Sequence, residues 1–194
     1  HPLILAGAGH AHLVAIRRWV EAGWRAPAGT LLVNPSERSW YSGMMPGLLA
    51  GRFKEADCAI DLLPLCEAAG ITLHIDTVEA LSPQQRTLTT RRAELPFDTL
   101  SINTGSRPPG PPRSDGSIPQ IPARPFPVFV ETWRRWKAEG VPARVAILGG
   151  GPAAFELALA LRASLPDIRL QMFFRDGLLA GHPQRLAQRA LDLL

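Results

Sequence analysis

Two glycine clusters in this 194-residue chain have a spacing that can do chemistry. The later one, Gly149-Gly150-Gly151-Pro152-Ala153-Ala154, follows the apolar run Val145-Ala146-Ile147-Leu148 and opens a helical stretch to about Leu165. Gly149-x-Gly151-x-x-Ala154 is the spacing by which a strand, a turn and a helix hold a dinucleotide. The first glycine permits a tight turn, the second lets the backbone approach a pyrophosphate, and the small third residue lets helix and strand pack closely. The helix N-terminus offers free N–H groups and partial positive charge, and Pro152 suits a first helical turn, where no N–H is needed. A glycine turn without a ligand is the alternative reading.

The earlier cluster, Gly7-Ala8-Gly9-His10-Ala11-His12, follows Leu3-Ile4-Leu5-Ala6 and departs from the pattern at its third position. His12 stands where a small residue belongs, which predicts a helix set further from its strand or a ring turned outward. Residues two apart on a helix do not share a face, and no carboxylate or cysteine cluster accompanies His10 and His12, so no metal site is expected. Hydrogen bonding beside a phosphate, or simple helix capping, is the expected role of this pair. The residue closing the second strand of such a unit ordinarily meets the ribose. It is Asn34 in the first segment, a hydrogen-bonding side chain without a carboxylate's charge. It is Arg175, followed by Asp176, in the second. Arg175 could pair with a 2′-phosphate and Asp176 could favour a free diol. No Ser-His-Asp set or paired carboxylates stand out, and no catalytic acid, base or nucleophile is assigned.

Both clusters need a strand before them and a helix after them, and both are followed by a second apolar strand, Thr30 to Val33 and Leu170 to Phe174. The pattern is βαβ twice, about 140 residues apart, and it predicts an α/β fold in which one Rossmann-like domain precedes the beginning of another. Between them the sequence predicts a helix over Asp57 to Ala69, a strand over Ile71 to Ile75, a hairpin of Val78–Leu81 with Arg86–Thr90, and a strand over Phe97 to Asn103. Arg107 to Pro127 holds eight prolines and little periodicity, which reads as a stiff, extended connector. Helical pattern returns from Pro127 to Gly140 and again from Pro183 to Leu194. The expected domains are therefore 1–106, the connector 107–127, and 128–194. A parallel sheet needs more than two strands and two covered faces, so the second domain is expected to continue beyond residue 194. His1 in place of Met implies a trimmed N-terminus, and no targeting leader is expected.

Composition narrows the class. The chain is 46% hydrophobic, which excludes disorder, and two cysteines cannot staple a chain this long. Its 21 basic and 17 acidic side chains leave a net charge of only +4, spread without a concentrated stripe, so no nucleic-acid partner is expected. The apolar run from Val145 to Leu161 is broken by glycines, Pro152 and Glu156, and reads as strand, turn and buried helix rather than a membrane span. The five tryptophans, and Met44 and Met45, read as packing residues.

Four segments now stand in order: the Gly7 to His12 cluster, Tyr41-Ser42-Gly43-Met44-Met45-Pro46-Gly47, Leu95-Pro96-Phe97-Asp98-Thr99-Leu100-Ser101-Ile102-Asn103-Thr104-Gly105-Ser106, and Gly149 through Ala158. This ordered set resembles the two-dinucleotide-domain flavoproteins of the pyridine nucleotide-disulfide oxidoreductase superfamily. Within them it is most similar to the type II NADH dehydrogenase-like branch, whose members occur alone or fused ahead of a selenide water dikinase. The resemblance spans nearly the whole chain. It implies FAD on the first unit, with the pyrophosphate at Gly7, Gly9 and the helix from His10, Ala11 and His12. It also implies Asn34 near the adenosine ribose and Val78 touching the adenine through its backbone. Thr104, Gly105 and Ser106 would return the chain to the FAD, and Ser42, Gly43 and Met44 would lie near the flavin ring. NAD(P)H would take the second unit, at Gly149, Gly151, Pro152, Ala153, Ala154, Glu156 and Arg175.

The resemblance further implies hydride transfer from NAD(P)H to FAD and on to a quinone or other small electron acceptor. The expected location is cytoplasmic, with inner-membrane contact through a region beyond residue 194, and homodimerisation, left open. Disulfide reductases of the superfamily carry a C-x-x-x-x-C pair. Here Cys58 and Cys66 are eight residues apart, about 12 Å along a shared helix, too far for a disulfide. They read as small core residues. A dinucleotide-binding module without turnover is the alternative function.

Overall fold

The computed structural model describes residues 3–106, 116–140, 142 and 144–194. They fall into two compact units, His1–Tyr41 with Ala59–Ser106, and Ser42–Cys58 with Arg107–Leu194. Residues 42–58, expected within the first domain, thus group with the second unit.

In the first unit β1 (Leu3–Ala6) runs into α1 (His10–Glu21) and returns as β2 (Leu31–Asn34). Two further elements, β3 (Arg38–Trp40) and β4 (Ala59–Asp61), pair antiparallel. After them come α3 (Leu62–Ala69), β5 (Thr72–Ile75), β6 (Val78–Ser82), β7 (Thr87–Thr90), β8 (Glu94–Pro96) and β9 (Thr99–Ile102); the helix Met45–Leu49, α2, belongs to the other unit. The strands β5, β2, β1 and β9, in that order, form one parallel sheet. Strand alternation splits its apolar residues between two cores. Leu5 and Leu32 face α1 and α3, meeting Leu13, Ile16, Leu62 and Cys66. Ile4, Ala6 and Val33 face the antiparallel sheet β6-β7-β8, meeting Leu88 and Leu95.

The expected helix over 57–69 is shortened to α3. Pro64 cannot donate to a carbonyl four residues back, so it is tolerated only in a helix's first turn, and the chain before Leu62 instead forms a 3₁₀ turn, Glu55–Cys58, and β4. Gly70 ends α3 in the left-handed region at φ 71°, as a C-terminal glycine should.

In the second unit α2 (Met45–Leu49) packs on α5 (Pro152–Ser164). Strands β10 (Arg144–Leu148) and β11 (Arg169–Phe173) pair in parallel and are connected in the chain through α5. α4 (Phe126–Glu139) buries Phe126, Phe129, Val130 and Trp136. The Trp133 indole donates to Ser164 Oγ at 3.2 Å, tying α4 to the end of α5. α6 (Gln184–Leu193) lays Ala187 and Ala190 against Leu178 and Leu179. Residues 107–115 of the expected connector lie outside the described residues, and 116–125 contain no helix or strand. Among the described residues no helix is long and apolar enough to cross a membrane. Trp24, read as a packing residue, is instead two-thirds exposed, at 67%.

Candidate functional site

The first glycine loop sits at the carboxyl edge of β1, between the ends of β2 and β9. The crossover through α1 leads to β2 on one side, while β9 pairs on the other. That is a topological switch point, where open α/β sheets take their ligands. Four residues clamp its peptide planes. The Gly7 carbonyl accepts from His12 Nδ1 at 2.7 Å, while the Ala8 amide of the same peptide plane donates to Asn34 Oδ1 at 3.1 Å. In the next peptide, the Ala8 carbonyl accepts from Ser39 Oγ at 2.6 Å and the Gly9 amide donates to the Asn103 carbonyl at 3.1 Å.

One of the two alternatives for His12 is excluded here. The His12 ring points inward: it is 6% exposed, and its Nε2 meets Ser101 Oγ of β9 at 2.8 Å. A carbonyl can only accept, so Nδ1 carries a proton, and both ring nitrogens are used within the unit. The physical reason is Ser101, a polar side chain in β9 that the ring can bridge to the Gly7 carbonyl. Asn34 is buried as well, and its Nδ2 donates to the Ser36 carbonyl at 2.8 Å. Both ends of its amide serve the loop and the turn that follows.

The glycines of this loop answer to β9. Gly7 has φ +86°, and a Cβ there would lie 2.5 Å from Thr104 Cα; a Cβ on Gly9 would collide with Asn103. Gly9 therefore lets Asn103 approach, where the sequence suggested a pyrophosphate. The Asn103 side chain also caps the helix, its Oδ1 accepting from the Ala11 amide at 3.1 Å. Among the described residues, the His10 and His12 amides are the ones at this N-terminus that take no partner. The His10 ring stacks on Tyr41 at 5.5 Å between centroids. An open apolar cavity of about 680 Å³ runs from His10 and Ala11 along α1, past Val14, Arg18 and Trp19, to Trp24. Val78 opens β6 and packs on the Leu88 core, and Thr104, Gly105 and Ser106 are exposed beyond β9.

The second loop is built differently. Gly149 turns the chain at φ +133°, and a Cβ there would stand 3.6 Å from Ala154 Cβ, so both small residues serve close helix packing. Gly150 is required by the loop after β11, because its Cβ would lie 2.7 Å from the Gly177 carbonyl oxygen and 2.7 Å from Phe174 Cβ. The Leu179 amide donates to the Gly150 carbonyl at 2.6 Å and holds that loop in place. Among the described residues, a Cβ on Gly151 would meet nothing within 4 Å. Among the described residues the amides of Gly150, Gly151, Ala153 and Ala154 take no hydrogen-bond partner. Gly150 and Gly151 line a cavity of about 160 Å³, together with Phe174, Arg175, Asp176, Gly177 and Ala180. Pro152 opens α5, and Glu156 lies exposed one turn further on. Arg175 is exposed at the end of β11, its Nε donating to Asp176 Oδ2 at 3.0 Å. This cradle of donors beside a positive helix end suits a diphosphate.

A family model described as pyridine nucleotide-disulphide oxidoreductase matches residues 1–193. The chain belongs to that family. No curated protein matches it in sequence. Among solved structures it is similar to the reduced Bacillus anthracis CoADR-RHD, at 16% identity and a TM-score of 0.76 over 98% of this chain and 36% of that one. It is similar to the sulfide:quinone oxidoreductase of the hyperthermophilic bacterium Aquifex aeolicus, at 18% identity and a TM-score of 0.73 over 99% and 48%. The water-forming NADH oxidase of Lactobacillus brevis, bound to NADH, follows at 16% identity and a TM-score of 0.72 over 99% and 45%. These similarities show a common fold, and the chain spans less than half the length of each of these structures.

In this family member the thiols are packed away. Cys58 and Cys66 are free and buried. Burial, with the Asp57 charge added, pushes the Cys58 thiol up, and burial pushes the Cys66 thiol up to about 11. No single helix carries both, so the 12 Å helical spacing expected from the sequence does not apply. Among the described residues no group of three or more His, Cys, Asp or Glu side chains gathers as a metal site. Ser42, Gly43 and Met44 form a 3₁₀ turn in the second unit, with Ser42 Oγ accepting from Arg124 at 3.4 Å. Sequence reasoning missed Ser39, Ser101 and Asn103. Their one signal was position: Ser101 on β9, Asn103 just beyond it, and Ser39 on β3.

Proposed function

We propose that this chain carries the dinucleotide-binding part of a flavin-dependent NAD(P)H oxidoreductase, with FAD on the first unit and NAD(P)H on the second. The observation that carries the reading is the second loop, where four unpartnered amides and a glycine facing open space suit a diphosphate better than any packing need. When bound, the two cofactors would supply hydride transfer from nicotinamide to flavin and onward electron delivery. The chain's own part is to bind and orient. Gly150, Gly151, Ala153 and Ala154 would hold the nicotinamide dinucleotide's diphosphate, with Arg175 at its ribose and Glu156 toward the nicotinamide. In the first unit the amides of His10 and His12 would receive the FAD diphosphate, while Gly7, Gly9, Asn34 and the inward His12 ring hold the loop rigid. Thr104, Gly105, Ser106 and Val78 complete the proposed flavin contacts of the first unit.

The type II NADH dehydrogenase-like branch, a quinone or other small acceptor, and a cytoplasmic location at the inner-membrane periphery belong to the same reading. A binding module without turnover is the second reading. A visible spectrum with added FAD, followed by anaerobic addition of NADPH or NADH, separates them. Flavin bound and bleached by nicotinamide supports the enzyme; flavin bound and never bleached supports the module. A folded protein that binds neither dinucleotide overturns both.

A further inference from the structure

We propose that Asn103 is a ligand-binding residue of the first unit, its Nδ2 donating to the diphosphate that comes to the N-terminus of α1. This inference rests on the reading that FAD lies there. Asn103 Oδ1 accepts from the Ala11 amide at 3.1 Å. That amide can only donate, so the side-chain oxygen must face the helix and the orientation of the Asn103 amide is settled by chemistry. Its Nδ2 is turned the other way and takes no partner among the described residues. The residue is also pinned by its backbone. Its amide donates to the Ala6 carbonyl at 2.7 Å, and its own carbonyl accepts from Gly9 at 3.1 Å. A partly exposed NH₂ is thus held in one orientation at the N-terminus of α1, where the His10 and His12 amides are open.

The consequence is an exchange of donors. Asn103 fills one backbone N–H of the helix end and presents a side-chain NH₂ in its place. A donor whose rotamer is already locked loses little freedom when an anion arrives, and its bond to a phosphate oxygen gains from the charge. A residue that only capped the helix would have no such effect on binding, and the two roles give opposite orders for two substitutions. Asn103→Asp keeps an oxygen cap at the positive helix end but replaces the donor with a negative charge facing the phosphate. Asn103→Ala removes both cap and donor, and releases the Ala11 amide to the ligand.

The test is FAD binding to the whole chain, followed by quenching of flavin fluorescence, with thermal unfolding measured without FAD. The expected affinity order is wild type, then Asn103→Ala, then Asn103→Asp. The aspartate variant should weaken by about ten-fold or more, while unfolding no earlier than wild type and later than Asn103→Ala. An Asn103→Asp protein that binds FAD within about two-fold of wild type, or affinities that follow the order of stability, overturns the inference and leaves the FAD reading standing. A folded wild-type chain that binds no FAD overturns that reading, and this inference with it.

Discussion

Replacing His12 with alanine would test whether the first glycine loop is held from inside. The ring is 6% exposed and bridges the Gly7 carbonyl at 2.7 Å to Ser101 Oγ at 2.8 Å. Truncation orphans the Gly7 carbonyl in a buried setting, at about 1–3 kcal/mol. The Ser101 hydroxyl is only partly buried and can turn to water, so its loss costs about 1 kcal/mol at most. Alanine's better helix propensity returns about 0.5 kcal/mol. The sum predicts a loss of about 0.5–3.5 kcal/mol, centred near 2, read as a shift in the midpoint of urea unfolding with unchanged slope. His12→Asn places a donor near the old Nδ1 and should recover about half of that loss. Ser101→Ala should cost about 1 kcal/mol alone and almost nothing in the His12→Ala background, since the two partners share one bond. A His12→Ala protein within about 0.5 kcal/mol of wild type, with Ser101→Ala effects that simply add, would refute the inward bridge.

Four other outcomes are expected. Gly150→Ala should destabilise by about 1–3 kcal/mol, because the new methyl would press on the Gly177 carbonyl and Phe174 at 2.7 Å. Gly151→Ala, at φ −79° and facing open space, should cost under about 1 kcal/mol while weakening NAD(P)H binding, read by nicotinamide fluorescence. Asp76 is buried, which opposes its ionisation. Bonds from the Thr90 hydroxyl and the amides of Thr77 and Arg92, with the Arg92 charge, nonetheless hold its carboxyl below the ordinary 3.8. A carboxyl depressed in the folded state lends stability above its unfolded value that is lost as pH falls through the folded one. Asp76→Asn should therefore lower stability at neutral pH and flatten the acid limb below 3.8, followed by circular dichroism. Asp176→Ala should free Arg175 from its 3.0 Å partner and shift preference toward NADPH over NADH, whereas Arg175→Ala should do the reverse, read as the ratio of the two dissociation constants.

The two strand–turn–helix units were legible in the residues because their signals are local. An apolar run ends at a glycine with positive φ, and an amphipathic helix follows within a few positions. Val145–Leu148 and Gly149 needed no distant information to form β10 and its turn, and neither did Leu3–Ala6 and Gly7 for β1. The short elements β3, β4 and β8 were invisible because three residues hold too little pattern to show a period. The turn 42–58 grouped with the second unit for a similar reason: its apolar residues, Met45, Leu48 and Leu49, do not say which core they enter.

What each loop residue does was decided only in three dimensions. His12 meets Ser101 across 89 positions, Asn34 meets Ala8 across 26, and Asn103 meets Ala11 across 92. These contacts exist because the sheet runs β5-β2-β1-β9, which sets the ends of β2 and β9 on either side of one glycine turn. Periodicity records which face of an element is apolar and carries no information on strand order. The same chain chemistry therefore yields a loop clamped by its neighbours in one unit and a loop with open donors in the other. The residue types alone determined that both would turn on glycine at the head of a helix.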